Sequence, residues 1–90
     1  MKKSYFSFSN QTGDFFIQLK GDNAGRVLRE KTPNAIGIIC DRFFLVPEYA
    51  YYLFMYLHSA NLYRPYIRGS VIPYIRHADI MQVFFNHCKN

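Results

Sequence analysis

Three arginines alternate with three tyrosines late in the chain, in the order Tyr63, Arg64, Tyr66, Arg68, Tyr74, Arg76. A guanidinium can neutralise a phosphate or read a base edge, and a tyrosine ring can stack on a base, so the interleaving suits nucleic acid. The same pattern also fits solvated arginines lying over buried tyrosines. A second candidate is the loop Gly21-Asp22-Asn23-Ala24-Gly25-Arg26, whose backbone N–H groups, with Arg26, could meet a phosphate. It lacks the Gly-Lys-Ser/Thr ending of a nucleotide-binding loop, and a plain hairpin turn accounts for it at least as well.

Other chemistry finds little support. His58, His77 and His87 have no paired spacing with Cys or carboxylates that would build a zinc site. Neither a Gly-x-Ser-x-Gly elbow nor a His-Glu-x-x-His pair is present to suggest nucleophilic or metal-assisted catalysis. The expectation is a protein that is not an enzyme and uses no metal or cofactor. Cys40 and Cys88 are too few for a disulfide framework, and the reading is of one inert buried thiol and one exposed tail thiol.

The residues that must position such a surface fit in one domain, because 90 residues leave no room for a second core. A core this small needs large side chains, and nine Phe and eight Tyr supply them. Eleven Lys and Arg against six Asp and Glu give a net charge of +5, so a polyanion is a plausible partner, although the same charge can serve solubility alone. The amino terminus has Lys2 and Lys3 but no apolar run after them of the kind a secretory signal needs, and every apolar stretch is interrupted before it could span a membrane. A cytoplasmic protein without membrane contact is expected.

Along the chain, Asp14 to Lys20 is rich in aromatic and β-branched residues and predicts a strand, with Arg26 to Arg29 returning as a hairpin partner. Ala35 to Cys40 is a continuous apolar run, predicting a strand buried on both faces, and Phe43 to Val46 either continues it past a bulge or forms a second short strand. Pro47 and Glu48 open a helix that runs to about Tyr63, with Tyr49, Leu53, Tyr56, Leu57 and Ala60 on one stripe and His58 and Asn61 towards water or a polar rim. Val71 to Ile75 is extended but irregular because of Pro73, and His77 to Met81 predicts one helical turn before a last strand, Gln82 to Phe85. The fold class is α+β, a small mixed or antiparallel sheet packed on one central helix.

These pieces in this order resemble a known family. Gly13-Asp14 opening a strand, a glycine-spaced loop ending in Gly25-Arg26, Pro47-Glu48-Tyr49-Ala50-Tyr51-Tyr52-Leu53, and Gly69-Ser70-Val71-Ile72-Pro73-Tyr74-Ile75 leading to Asp79-Ile80 are similar to the later part of a target-recognition domain from type I restriction-modification specificity subunits. The resemblance covers about Thr12 to Ile80. It implies a DNA-recognition module, with Lys20, Arg26, Arg64, Tyr66, Arg68, Ser70, Tyr74 and Arg76 as contacts to nucleic acid or to a partner. Family domains continue into a long helix that docks methyltransferase subunits and begin with a longer amino-terminal portion, so this chain corresponds to about half a domain. That departure raises a second expectation, an interaction protein of a phage or mobile element that inhibits a nucleic-acid-containing bacterial defence complex, as an anti-CRISPR or anti-restriction protein.

Overall fold

A computed structural model describes residues 5–69 and 71–88 of the chain. Its centre is the strand that the apolar run predicts. β4 (Ala35–Cys40) directs Ile36, Ile38 and Cys40 into the core, and Ala35 and Gly37 are buried as well. Antiparallel partners flank it on both sides, β1 (Phe6–Ser9) on one and β2 (Phe15–Gln18) on the other, and β3 (Val27–Leu28) completes the order β1-β4-β2-β3 by pairing with β2. Register puts Phe6 opposite Cys40, Phe8 and Phe15 opposite Ile38, and Ile17 opposite Ile36, so the largest apolar side chains line one face.

Because β1 and β2 lie on opposite sides of β4 and run the same way, residues 10–14 must cross over β4. The crossing is possible only where two backbones can touch. A Cβ on Gly37 would overlap the Thr12 carbonyl, and one on Gly13 would sit 2.8 Å from the Gly37 Cα. Asp14 closes the crossing: its N–H donates to the Ile38 carbonyl at 2.8 Å, and its carboxylate accepts from the Cys40 N–H and from Arg42, each at 2.8 Å.

After β4 the chain turns instead of extending. Asp41 accepts from the N–H groups of Phe44 and Leu45 through its carbonyl and from the Phe43 N–H through its side chain, so Phe43 to Val46 is no strand. Helix α1 (Pro47–Ser59) follows, with Pro47 at its first turn and Glu48 complementing its dipole. It stops before Tyr63. Asn61 takes φ 60°, its N–H donates to the His58 carbonyl, and the Leu62 N–H reaches back to Leu57, the paired bonds of a left-handed helix stop. The buried stripe is Ala50, Leu53, Phe54 and Leu57, whereas Tyr49, Tyr56 and Ala60 of the expected stripe are exposed. Both sets have helical spacing; only packing against the sheet separates them.

The final segment is a second helix, α2 (His77–Cys88), where one turn and a strand were expected. Val83-Phe84-Phe85 has strand-like composition, but Ile80, Val83 and Phe84 are buried at i, i+3 and i+4, and tertiary packing decides. Asp79 fixes the helix start by accepting from the Arg76 N–H at 2.8 Å, the reach-back of a capping box. The fold is therefore α+β with a four-stranded antiparallel sheet and two helices, not one central helix. Phe54 of α1 stacks on Phe84 of α2 with ring centroids 5.5 Å apart, and Phe6 meets both edge-on, so aromatic contacts join both helices to β1. Among the described residues, no helix is long and apolar enough to cross a membrane.

Candidate nucleic-acid interface

The segment between the helices returns to the sheet. Lys20, just beyond β2, bridges Tyr74 in antiparallel fashion, and Arg68 bridges the same Tyr74 from the other side, exchanging backbone hydrogen bonds of 3.0 and 2.9 Å. Ile75 donates to the Leu19 carbonyl and Gly21 to that of Pro73, so residues 73–75 prolong the sheet beyond the start of β4. This brings Lys20, Arg68, Tyr74 and Arg76 together from distant parts of the chain.

The glycine loop behaves as a turn. Gly21, Ala24, Gly25 and Arg26 donate their N–H groups to Pro73, Gly21, Gln18 and Asn23, so they are not directed at a phosphate. Gly21 and Gly25 both have positive φ, as the turn requires. Gly25 also lies against the Tyr63 ring, where a Cβ would come within 2.7 Å of the ring edge. Arg26 follows Gly25 and Arg64 follows Tyr63, and both arginines are exposed. The loop thus joins the Lys20–Tyr74 bridge at one end to the Arg26 and Arg64 backbone at the other.

The expected contacts differ in their freedom. Arg68 is half-buried, and its guanidinium is engaged by the Tyr66 carbonyl at 3.3 Å and by Asp79 at 3.2 Å. Arg76 shares Asp79 at 3.5 Å but keeps more than half of its side chain exposed. Asp79 is a buried carboxylate, and these two cations with the Arg76 N–H meet its demand for partners. Arg68 is accordingly a structural ion pair first. Tyr66 is half-buried and its hydroxyl accepts from Asn86 of α2, away from the other candidates, and Tyr63 is buried, while Tyr74 remains exposed beside Lys20. Ser70 lies outside the described residues. Tyr63 is thus a buried core ring packed against Gly25, whereas Tyr74 is an exposed ring beside Lys20.

Residues without a local sequence signal also stand beside this edge. A shallow cleft of about 390 Å³ is lined by Lys20 and by Lys31, Asn10 and Asn34, among others. Lys31 is fixed there, its ammonium donating to the Thr32 and Ala35 carbonyls at 2.9 and 3.1 Å. Nothing local in Lys31-Thr32-Pro33-Asn34 signals the cleft, because it forms only when residues 10 and 20 arrive from other strands.

Burial raises the Cys40 thiol to about 11, with a push from Asp14, and raises the Tyr63 hydroxyl further from its ordinary value. The Tyr63 hydroxyl is buried without a hydrogen-bond partner among the described residues. Neither thiol is in a disulfide; Cys40 is buried and Cys88 exposed. Among the described residues, no group of three or more His, Cys, Asp or Glu is placed to hold a metal.

Comparison with curated proteins and with solved structures finds no match. A family model does match, described as a family of unknown function (DUF6943), over residues 4–90. The chain belongs to this family.

Proposed function

We propose that this protein recognises nucleic acid, DNA in the first instance, without catalysing a reaction on it. The observation that carries the reading is the glycine loop, 21–25, against which three stretches of chain bearing exposed cations are set. Lys20 precedes it, Arg26 follows it, Arg76 follows the Ile75 that pairs with Leu19, and Arg64 follows the Tyr63 that packs on Gly25. Tyr74 adds an exposed ring beside Lys20 that can stack on an unpaired or displaced base. The likeness of the Gly13-Asp14, Gly25-Arg26, Pro47-to-Leu53 and Gly69-to-Ile75 motifs to half of a restriction target-recognition domain supports the same reading.

Each phosphate neutralised by a cation releases condensed counterions, so binding weakens with salt in proportion to the contacts made. With four such cations, the logarithm of the duplex-DNA association constant should fall against the logarithm of salt with a slope of about −3 to −4. Fluorescence anisotropy on duplex DNA at several salt concentrations measures it, and Lys20→Ala or Arg26→Ala should each make the slope shallower by about one. Absence of binding at low salt overturns direct recognition and puts the inhibitor of a bacterial defence complex in its place.

A further inference from the structure

Opposite in character to the basic edge is the outward side of α1. In a chain of net charge +5, no Lys or Arg falls between Arg42 and Arg64, and Glu48 is the only acid there. The stretch is nevertheless not all buried. Phe43 is 95 % exposed in the turn before α1, and Tyr49, Tyr52 and Tyr56 are 64, 56 and 53 % exposed along the helix, with Val46 and Met55 among them. Phe85 of α2 adjoins this surface through Tyr5, whose ring meets both Phe85 and Phe44 edge-on.

We propose that this face is the contact surface of a symmetric homodimer, its occupant a second copy of the same chain. The first argument is area. An aromatic side chain offers about 150–250 Å², so Phe43, Tyr49, Tyr52, Tyr56 and Phe85 together expose roughly 600 Å². Val46 and Met55 bring the patch close to the ~800 Å² per partner that a stable interface of standard size uses, whereas monomers seldom leave more than about 300–600 Å² of contiguous apolar surface open. The second argument is charge. Two copies of +5 repel, and self-association is least opposed through the longest stretch without Lys or Arg, which leaves Lys20, Arg26, Arg64 and Arg76 outside the contact.

The third argument is self-complementarity, which an isologous contact requires. Tyrosine hydroxyls donate and accept, so a tyrosine face can satisfy its own image. At the margin, Arg29 pairs with Glu48 at 3.5 Å with both side chains more than half exposed, and this acid and base can exchange partners across a two-fold axis. Arg29 is held in place by lying 3.6 Å over the Tyr51 ring. Aromatic enrichment with lysine depletion is also the composition that interface centres favour.

The test is sedimentation equilibrium of the full chain over the micromolar range, independent of any nucleic acid. The expected result is a mass rising with concentration from 10.7 kDa towards twice that value. Tyr52→Asp and Phe43→Ser, at exposed positions, should weaken dimerisation roughly tenfold or more while circular dichroism shows a folded chain. Val71→Ser, in the other strongly exposed apolar stretch at 88 % exposure, should leave the dimer intact. A wild type that stays monomeric throughout, or binds a different protein through this face while remaining monomeric, overturns the proposal. So does a dimer that Val71→Ser dissociates and that neither Tyr52→Asp nor Phe43→Ser affects.

Discussion

Two aromatic-rich regions of this molecule differ in what surrounds their rings. At the basic edge, Tyr63, Tyr66 and Tyr74 alternate with Arg64, Arg68 and Arg76, and the rings range from buried to exposed. On α1, Tyr49, Tyr52 and Tyr56 stand at the surface with no Lys or Arg nearby in sequence. Residue type alone would treat these tyrosines as one class of core material. Burial is instead set by which side of an element meets the sheet, and local charge indicates what an exposed ring can meet: phosphate and base at one site, apolar protein at the other.

The sharpest way to break this comparison lies within α1. Phe54 and Leu57 are fully buried, and replacing either by Ala removes contacts and leaves a cavity, so urea denaturation should show a loss of about 2–5 kcal/mol. Tyr52→Ala, on the opposite side of the same helix, should cost no more than about 0.5 kcal/mol when measured on the monomer, at concentrations too low for self-association. Equal losses at the inner and outer positions would mean that the two sides are not distinguished by packing.

The next effect divides the arginines of the basic edge. Arg68 donates to buried Asp79, and Arg68→Ala leaves that carboxylate with the weaker Arg76 contact and one backbone N–H. The expected cost is about 1.5–3 kcal/mol, the range for hydrogen bonds to charged groups. Among the described residues Arg26 has no such tie, and Arg26→Ala should change stability by less than about 0.5 kcal/mol while still altering the salt dependence of DNA binding. If Arg68→Ala left stability untouched and Arg26→Ala lowered it, the assignment of structural and free cations at this edge would be reversed.

These contrasts also show how much the sequence makes legible. β4 is readable because six apolar residues without a polar break leave few alternatives for a short strand, and the β2–β3 hairpin is readable because Gly21 and Gly25 supply the positive φ its turn needs. β1 went unread: Phe6-Ser7-Phe8-Ser9 is a short alternating run whose meaning depends on pairing with residues 37–40, far along the chain. The same reason hides the Gly13–Gly37 crossing, which looks like an ordinary turn until the strand order is known. At the candidate site, Lys20, Arg26, Arg64, Tyr74 and Arg76 were legible as types. The Lys31 cleft and the Asp79 anchoring of Arg68 were not, since each joins residues through tertiary contacts without a local pattern.

The smallest expected effect probes the place where the two regions meet. His58 sits in the last turn of α1, half-buried, and its pKa lies below the usual 6.5, first because burial disfavours the imidazolium and then because Arg26 repels it. As pH falls below about 6.5, the unfolded chain takes up this proton before the folded one does. Stability therefore holds above that value and declines as pH drops from the unfolded-state pKa through the depressed folded one. His58→Gln should remove this part of the acid-side slope without changing stability at neutral pH beyond a few tenths of a kcal/mol. Arg26→Ala should shift the His58 titration partway back towards 6.5, read from the imidazole proton resonances across pH 5 to 8. A His58 that titrates at or above 6.5 in the wild type, or one indifferent to Arg26, would separate the end of α1 from the glycine-loop cations and remove the electrostatic link between the two surfaces.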